Sequence, residues 1–242
     1  MKTGAGAASA PAQLQGQLVL LATGVAGYRS LCKLSSLVQA SPEREILASR
    51  GLSWGDLEEH RDGLICLSGG RKGWVERHVR SGILQAASHY AGRLSDIYRD
   101  RVFLSLELHT DDDRIIAERV GMLGGLMGKS TAAVQPVYCL SDQEQSRLPL
   151  LRAIDLNVPL HKVPRTSLPD GGDPQVRLDW LPRDEIDRRF ASFPEAVAMA
   201  AEIAGQCGPA LPGGSPVWPD LDLPHGRRPD DALSSLAAAG LE

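Results

Sequence analysis

Three short stretches of this chain carry residue types that can do chemistry. "LELHTDDD" offers Glu107, His109 and Asp111–Asp113 directly after an apolar run, the position at a strand end where metal ligands gather. The same aspartates suit a helix N-terminus, because the helix macrodipole favours negative charge there and Thr110 can cap it. "GGRKGWVERHVR" sets Arg71, Lys72, Arg77 and Arg80 beside glycines, so backbone amides and cations can hold a phosphate. A charged helix face is the plainer reading. "GGLMGKST" (Gly124–Thr131) ends like a phosphate-binding loop, but Leu123 stands where the motif needs glycine. It also runs from helix into strand, the reverse of the required order, so a C-cap glycine accounts for it.

The six histidines (60, 78, 89, 109, 161 and 225) show neither H-x-H nor H-E-x-x-H spacing, and His60, His78 and His89 are predicted to be solvated on helices. No G-x-S-x-G nucleophile elbow occurs. The net charge of −4 and pI near 5.9 lack the basic excess that phosphate neutralisation requires, so any DNA contact is local or borrowed from other chains. The four cysteines form no C-x-x-C pair; Cys32 and Cys66 lie in apolar-patterned segments and are predicted to be buried thiols in a reducing compartment. The N-terminus has no apolar core of a signal peptide, and the run Leu18–Ala22 is too short to span a bilayer. A cytoplasmic chain without membrane contact is expected.

The elements that must position these residues alternate. Residues 1–16 are predicted to be disordered. "LVLLA" (Leu18–Ala22) reads as a fully buried strand, followed by a helix with Leu31, Leu34, Leu37 and Val38 on one face. Ser41–Gly51 is a charged connector, and Ser53 with Asp56 caps a short helix. "GLICLS" and "VFLSLEL" are further buried strands, separated by a helical region over Trp74–Tyr98 that breaks near Ser81–Gly82. A fourth strand lies in "AAVQPVYC". The helix after it carries a Ser141/Glu144 capping box and runs to about Asn157; a second box is read at Ser192/Glu195. Alternating buried strands and helices predict an α/β fold with parallel strands. A Pro-dense, extended region over 208–229 and a final short helix complete the chain.

Several segments, in order over roughly residues 17–242, resemble the PHP (polymerase and histidinol phosphatase) domain of the bacterial DNA polymerase III alpha subunit and its error-prone relatives. They are "LVLLATGVAGYRSLCKLSSL", "GLICLSGGRKG", "VFLSLEL", "VYCLSDQEQSRLPLLRAIDLN" and "RRFASFPEAVAMAAEIAGQC". The resemblance implies a partial, distorted (β/α)7 barrel, here divided into a PHP-like part over 17–176, a helical segment over 177–207 and a polymerase-proximal linker over 208–242. Active members hold a polynuclear metal site at the strand ends. The resemblance implies that the early H-x-H part of that site is lacking here. Where many members have Ser-Gly-Cys, this chain has Ser68-Gly69-Gly70, and where metal binders read Asn-Asp-Val-His it has Gln135-Pro136-Val137-Tyr138. Gly70, Pro136 and Tyr138 therefore stand at ligand positions without being ordinary ligands, and Glu107 and His109 are remnants.

"LPHGRRPDDALSSLAAAGLE" resembles the bridge into the polymerase proper, whose palm the sequence does not contain. The expectation is a PHP module without catalytic residues or cofactor, docking on a polymerase-domain chain or another replisome or proofreading subunit and meeting DNA only indirectly. An unpaired sheet edge is expected to favour such association. Two alternatives stay open: a zinc-, manganese- or magnesium-dependent phosphoesterase or 3′–5′ exonuclease using Glu107 and His109, and a phosphate-binding module using Arg71 and Lys72.

Overall fold

The computed structural model describes residues 16–40, 42, 51–211, 223 and 226–240. The predicted disorder of residues 1–15, most of the Ser41–Gly51 connector and most of the Pro-dense region 208–229 lie outside the described residues. The chain divides into two compact units, with the boundary after Leu211.

Two runs are apolar enough to be buried on both faces, and they form the middle of the sheet. Every residue of β2 (Leu64–Leu67) and β3 (Val102–Glu107) is buried. They are flanked by β1 (Val19–Ala22) and β4 (Thr131–Val134) in the order β1-β2-β3-β4. The fold is α/β, but the sheet is mixed. β2, β3 and β4 are parallel, whereas β1 runs antiparallel to β2, with Val19 opposite Leu67 and Ala22 opposite Leu64. A four-residue apolar run carries no signal for direction, which depends on where the connecting chain re-enters the sheet. Nor is β1 fully buried: it ends the sheet, and Val19 is 44% exposed.

Alternation along the central strands sorts side chains into layers. Leu104 and Leu106 face a core with Val75, Val79, Ala91 and Val120 from three helices. Phe103, Ile65 and Leu67 face the other way, onto Ile203. The helices of the first layer are α3 (Trp74–Arg80), α4 (Leu84–Tyr98) and α5 (Asp111–Met127). The break between α3 and α4 falls at Ser81–Ile83, as the sequence predicts. Leu34 of α1 (Val25–Gln39) and Leu57 of α2 (Trp54–Glu59) complete a third cluster around Leu64 and Cys66.

Helix α1 sits differently from the predicted leucine stripe. Its buried residues are Gly27, Ser30 and Leu34, while Leu37 is exposed. The cause is a close backbone crossing: a Cβ on Gly27 would stand 2.1 Å from the Gly63 carbonyl oxygen. The Ser30 hydroxyl donates to the Asp62 carbonyl at 2.8 Å, and the Thr23 hydroxyl to that of Gly63 at 3.0 Å. Rotating the helix toward these small residues carries Cys32 to the surface, so of the two thiols expected to be buried only Cys66 is. His89 is exposed as expected, but His78 is half-buried and stacks on Trp74.

The caps also divide. Ser53 and Asp56 form the predicted box at α2, and Gly128 ends α5 in the left-handed region, as its C-cap reading requires. The chain after β4 folds as α6 (Asp142–Gln145) and α7 (Leu148–Leu156), without the Ser141 box. The Ser141 side chain caps nothing, and Glu144 accepts from the Leu140 amide instead, at 3.1 Å. After α8 (Arg183–Arg189), α9 (Pro194–Gln206) starts at Pro194 with Phe193 at its cap position, leaving Ser192 outside the helix. The second unit holds α10 (Pro229–Ala239), with Asp230 and Asp231 in its first turn. Among the described residues no helix is long and apolar enough to cross a membrane.

Among the described residues, Arg99, Asn157 and Asp170 are non-glycines with positive φ, and of these Arg99 also lies outside the left-handed helical region. Arg99, at the end of α4, has φ 53° and ψ −116°, a region suited to glycine. Its carbonyl accepts the Lys129 ammonium at 2.7 Å, an interaction that needs no arginine side chain. Arg99→Gly should therefore raise stability by about 1 kcal/mol, read as a higher urea midpoint at an unchanged slope.

Candidate functional site

The carboxyl ends of the parallel strands deliver three loops to one place. After β2 the chain turns through Ser68-Gly69-Gly70 into a single 3-10 turn, Gly70–Lys72. After β3 it passes Glu107 and His109 into α5. After β4 it runs through Gln135-Pro136-Val137-Tyr138. A fourth contributor is Asp170, from the Pro/Gly-rich connection in front of α8.

Asp113 is the anchor. Its side chain is 1% exposed. Arg71 Nη1 reaches both its oxygens, at 2.9 and 3.1 Å, and Arg80 Nη2 donates to Oδ1 at 2.5 Å. The backbone amides of His109 and Thr110 donate to Oδ2 at 2.9 and 2.8 Å, and the Thr110 hydroxyl at 3.0 Å. Burial alone would raise this carboxyl. The Arg80 hydrogen bond, the two amides and the Arg71 charge outweigh it and hold the group down at about 2. Arg80 is shared: its Nε donates to Glu76 Oε1 at 2.8 Å. Burial pushes the Glu76 carboxyl up to about 7, against the pull of Arg80 and with the help of the Glu107 and Asp113 charges.

Glu107 lies beside this pair. Its Oε2 accepts the Arg71 backbone N–H at 3.0 Å, and its Oε1 meets His109 Nε2 at 2.8 Å. The His109 side chain is fully enclosed, and its Nδ1 has no hydrogen-bond partner. Gly70 makes room for the carboxylate. A Cβ there would stand 2.2 Å from Glu107 Oε2, and the residue's φ of 56° already favours glycine. Lys72 donates to the Tyr138 hydroxyl at 3.0 Å and sits 3.8 Å from Asp170 Oδ2, while Arg71 Nε is 3.8 Å from Asp170 Oδ1.

Gly70, Arg71, Lys72, Glu107, His109, Pro136 and Tyr138, singled out from the sequence, are thus gathered at one sheet end. Asp111 and Asp112 are not: both are exposed in the first turn of α5. Arg71 and Arg80 do not make the charged helix face read from the sequence; they turn inward onto Asp113. Glu76 and Asp170 escaped the sequence reading, and Gln135 was read only as part of the stretch Gln135–Tyr138, without a role of its own. Glu76 left a signal, its i,i+4 spacing from Arg80. Asp170 left none, lying in a loop far along the chain.

A polynuclear metal centre is what the family resemblance implies at such a strand end. The donors available are Glu107, His109 and Asp113; Asp113 is taken up by Arg71, Arg80 and backbone amides, Glu107 by the Arg71 amide and His109 Nε2, and His109 Nδ1 is left without a partner. Among the described residues no three His, Cys, Asp or Glu side chains are grouped to hold a metal ion. To take an ion, Asp113 would have to give up an arginine or an amide, whereas His109 Nδ1 would not.

Two consequences are measurable. Arg80→Ala leaves Asp113 short of a cation in a closed site and should cost about 3 kcal/mol in urea unfolding. Glu76 titrates in the folded state at about 7 against an ordinary 4.5, so between those values the native chain holds more protons than the unfolded one. Glu76 therefore makes stability fall as pH rises through that window and level off above it. Asp113, held below its ordinary 3.8, acts in the opposite sense, and its contribution is lost as pH falls from 3.8 toward 2. Glu76→Gln should flatten the decline between pH 4.5 and 7 without touching the acid limb, as followed by urea midpoints across pH.

Residues 2–110 match the PHP domain, beginning earlier than the resemblance read from Gln17 onward. The chain is 27% identical over 224 residues to DNA polymerase III subunit alpha of Bacillus subtilis, covering 93% of this chain and 19% of that protein. It is 28% identical to the error-prone DNA polymerase of Symbiobacterium thermophilum, over 92% of this chain and 21% of that one. With the error-prone DNA polymerase of Mycobacterium tuberculosis the identity is 30%, over 92% and 20%. The chain spans about one fifth of the length of these relatives. Residues 2–110 thus match a PHP domain, and over most of its length the chain is similar to one fifth of the DNA polymerase III alpha and error-prone polymerases.

Proposed function

We propose that this chain is a metal-free PHP module that serves as a structural and docking part of a DNA polymerase III alpha-type assembly in replication or repair synthesis. On this reading the four strands are an arc of the family's distorted barrel. The observation that carries the proposal is the Arg71–Asp113–Arg80 cluster: two guanidinium groups lie on the acidic side chain best enclosed at the strand ends. Pro136 and Tyr138 support it, since neither offers an ordinary ligand there and Tyr138 is engaged by Lys72.

The docking role draws on α7. Of its nine residues only Ala153 is buried, while Leu150, Leu151 and Ile154 are exposed along one face. An apolar helix face of this kind suits a protein partner. A polymerase-domain chain is the partner proposed, because relatives of this chain are polymerases about five times its length. The chain's net charge of −4 makes DNA an indirect contact.

A metal-dependent phosphoesterase is the second reading, and one observation favours it: the enclosed His109 Nδ1 has no partner in the structure. Metal analysis separates the two. Chain purified in the presence of zinc and manganese, then desalted, should retain well under one metal ion per chain. Stoichiometric retention that is lost in His109→Ala would overturn the metal-free reading.

A further inference from the structure

Beside the ion-pair cluster, a cavity of about 390 Å³ opens at the same end of the sheet, within the size range of small-molecule sites. Of the ionisable side chains that line it, Glu107 and Asp170 are nearly enclosed. Lys72 and Tyr138 keep accessible surface, 25% of the one side chain and 48% of the other residue. These two also converge. The Lys72 ammonium donates to the Tyr138 hydroxyl oxygen at 3.0 Å and lies 5.1 Å from the ring centre. Because the phenol accepts in that bond, its own proton points away from the lysine, and among the described residues it meets no acceptor. An ammonium has two N–H groups beyond the one used here, and Asp170 Oδ2, 3.8 Å from Nζ, is outside hydrogen-bond reach. One oxygen atom of a guest can therefore accept from both groups, as the third corner of a triangle whose base is 3.0 Å.

The surroundings select the guest. Two donors call for an acceptor, and the ammonium favours a charged one, because a charge-assisted hydrogen bond is about twice as strong as a neutral one. A doubly charged guest is disfavoured, since the Glu107 and Asp170 carboxylates belong to the same lining. The other walls, Val19, Leu67, Val134 and Pro136, offer apolar surface to the rest of the molecule. We propose that this cavity binds a monocarboxylate with an apolar body, one carboxylate oxygen accepting from Lys72 Nζ and the Tyr138 hydroxyl together. The assignment does not depend on the docking reading of α7.

Benzoate, benzamide and inorganic phosphate at mildly alkaline pH test it, as singly charged, neutral and doubly charged probes. Guests this small bind in about the millimolar range, so the full chain is titrated by amide nitrogen–proton correlation spectra. Benzoate should give saturable shifts that include Gly69, Lys72 and Tyr138, with at least about ten-fold weaker binding of benzamide and of phosphate. Lys72→Met should weaken benzoate binding at least about ten-fold, and Tyr138→Phe, which keeps the ring, at least about five-fold. The unshifted remainder of each spectrum shows that the variant is folded, and Lys72→Gln replaces Lys72→Met if that one is not. Absence of saturable benzoate binding to the parent chain would overturn the proposal. So would benzamide or phosphate binding as tightly as benzoate, shifts confined to another part of the chain, or variants that bind like the parent. A chelator should leave benzoate affinity unchanged; binding that it abolishes would assign the carboxylate to a metal ion and overturn the proposal. Metal retention by the chain without benzoate reports on the metal-free reading alone, so the two readings fail separately.

Discussion

A carboxylate enclosed as fully as Asp113 survives as an anion only if every lone pair is met, and the way this chain meets them organises the whole sheet end. The donors come from three separate places: Arg71 from the turn after β2, Arg80 from the last turn of α3, and the amides of His109 and Thr110 from the loop that starts α5. One acceptor thus fixes three segments relative to each other. The arrangement is stable because each donor has a reason to be where it is. Helix α3 presents Arg80 one turn beyond Glu76, and the 3-10 turn aims Arg71 inward while giving its own backbone N–H to Glu107.

The same interaction explains the electrostatic character of the site. A cluster of acidic side chains at a strand end ordinarily needs an external cation to offset mutual repulsion. Here the cations are built in, and they alternate with the acids: Glu76, Arg80, Asp113, Arg71 and Asp170 follow one another along the cluster. Glu76 shows the limit of the device. Among the described residues Arg80, itself shared, is its close cationic partner, with the Glu107 and Asp113 carboxylates behind it, and its proton is correspondingly hard to remove.

How much of this was legible in the sequence depends on the range of the forces involved. The buried runs Leu64–Leu67 and Val102–Glu107, the α2 cap at Ser53 and the α5 stop at Gly128 are settled by neighbours in the chain, and reading them locally works. Local reading fails where tertiary contacts decide. The α1 stripe is rotated by the Gly27–Gly63 crossing, the direction of β1 by its return to the sheet edge, and the Ser141 cap is displaced when Glu144 takes the Leu140 amide. At the site, residue types at Glu107, His109, Arg71 and Lys72 were visible, but their pairing was not. "LELHTDDD" does not say that only its third aspartate turns inward, nor that the cations of "GGRKGWVERHVR" lie across from it. Asp170 and Gln135 enter through loops whose course no periodicity predicts.

Positions 70, 107 and 138 also depend on one another through the contacts they share. Any side chain at position 70 begins with a Cβ that would stand 2.2 Å from Glu107 Oε2, so a side chain installed there displaces the Glu107 carboxylate. Moving Glu107 removes the acceptor of the Arg71 amide and the partner of His109 Nε2. Changing Tyr138 to histidine takes away the hydroxyl that holds Lys72 and leaves that cation beside the new imidazole, where it disfavours a metal ion. The turn glycine, the inward arginines and the tyrosine that holds Lys72 therefore form one physical unit, and a change at any one of them is felt at the other two.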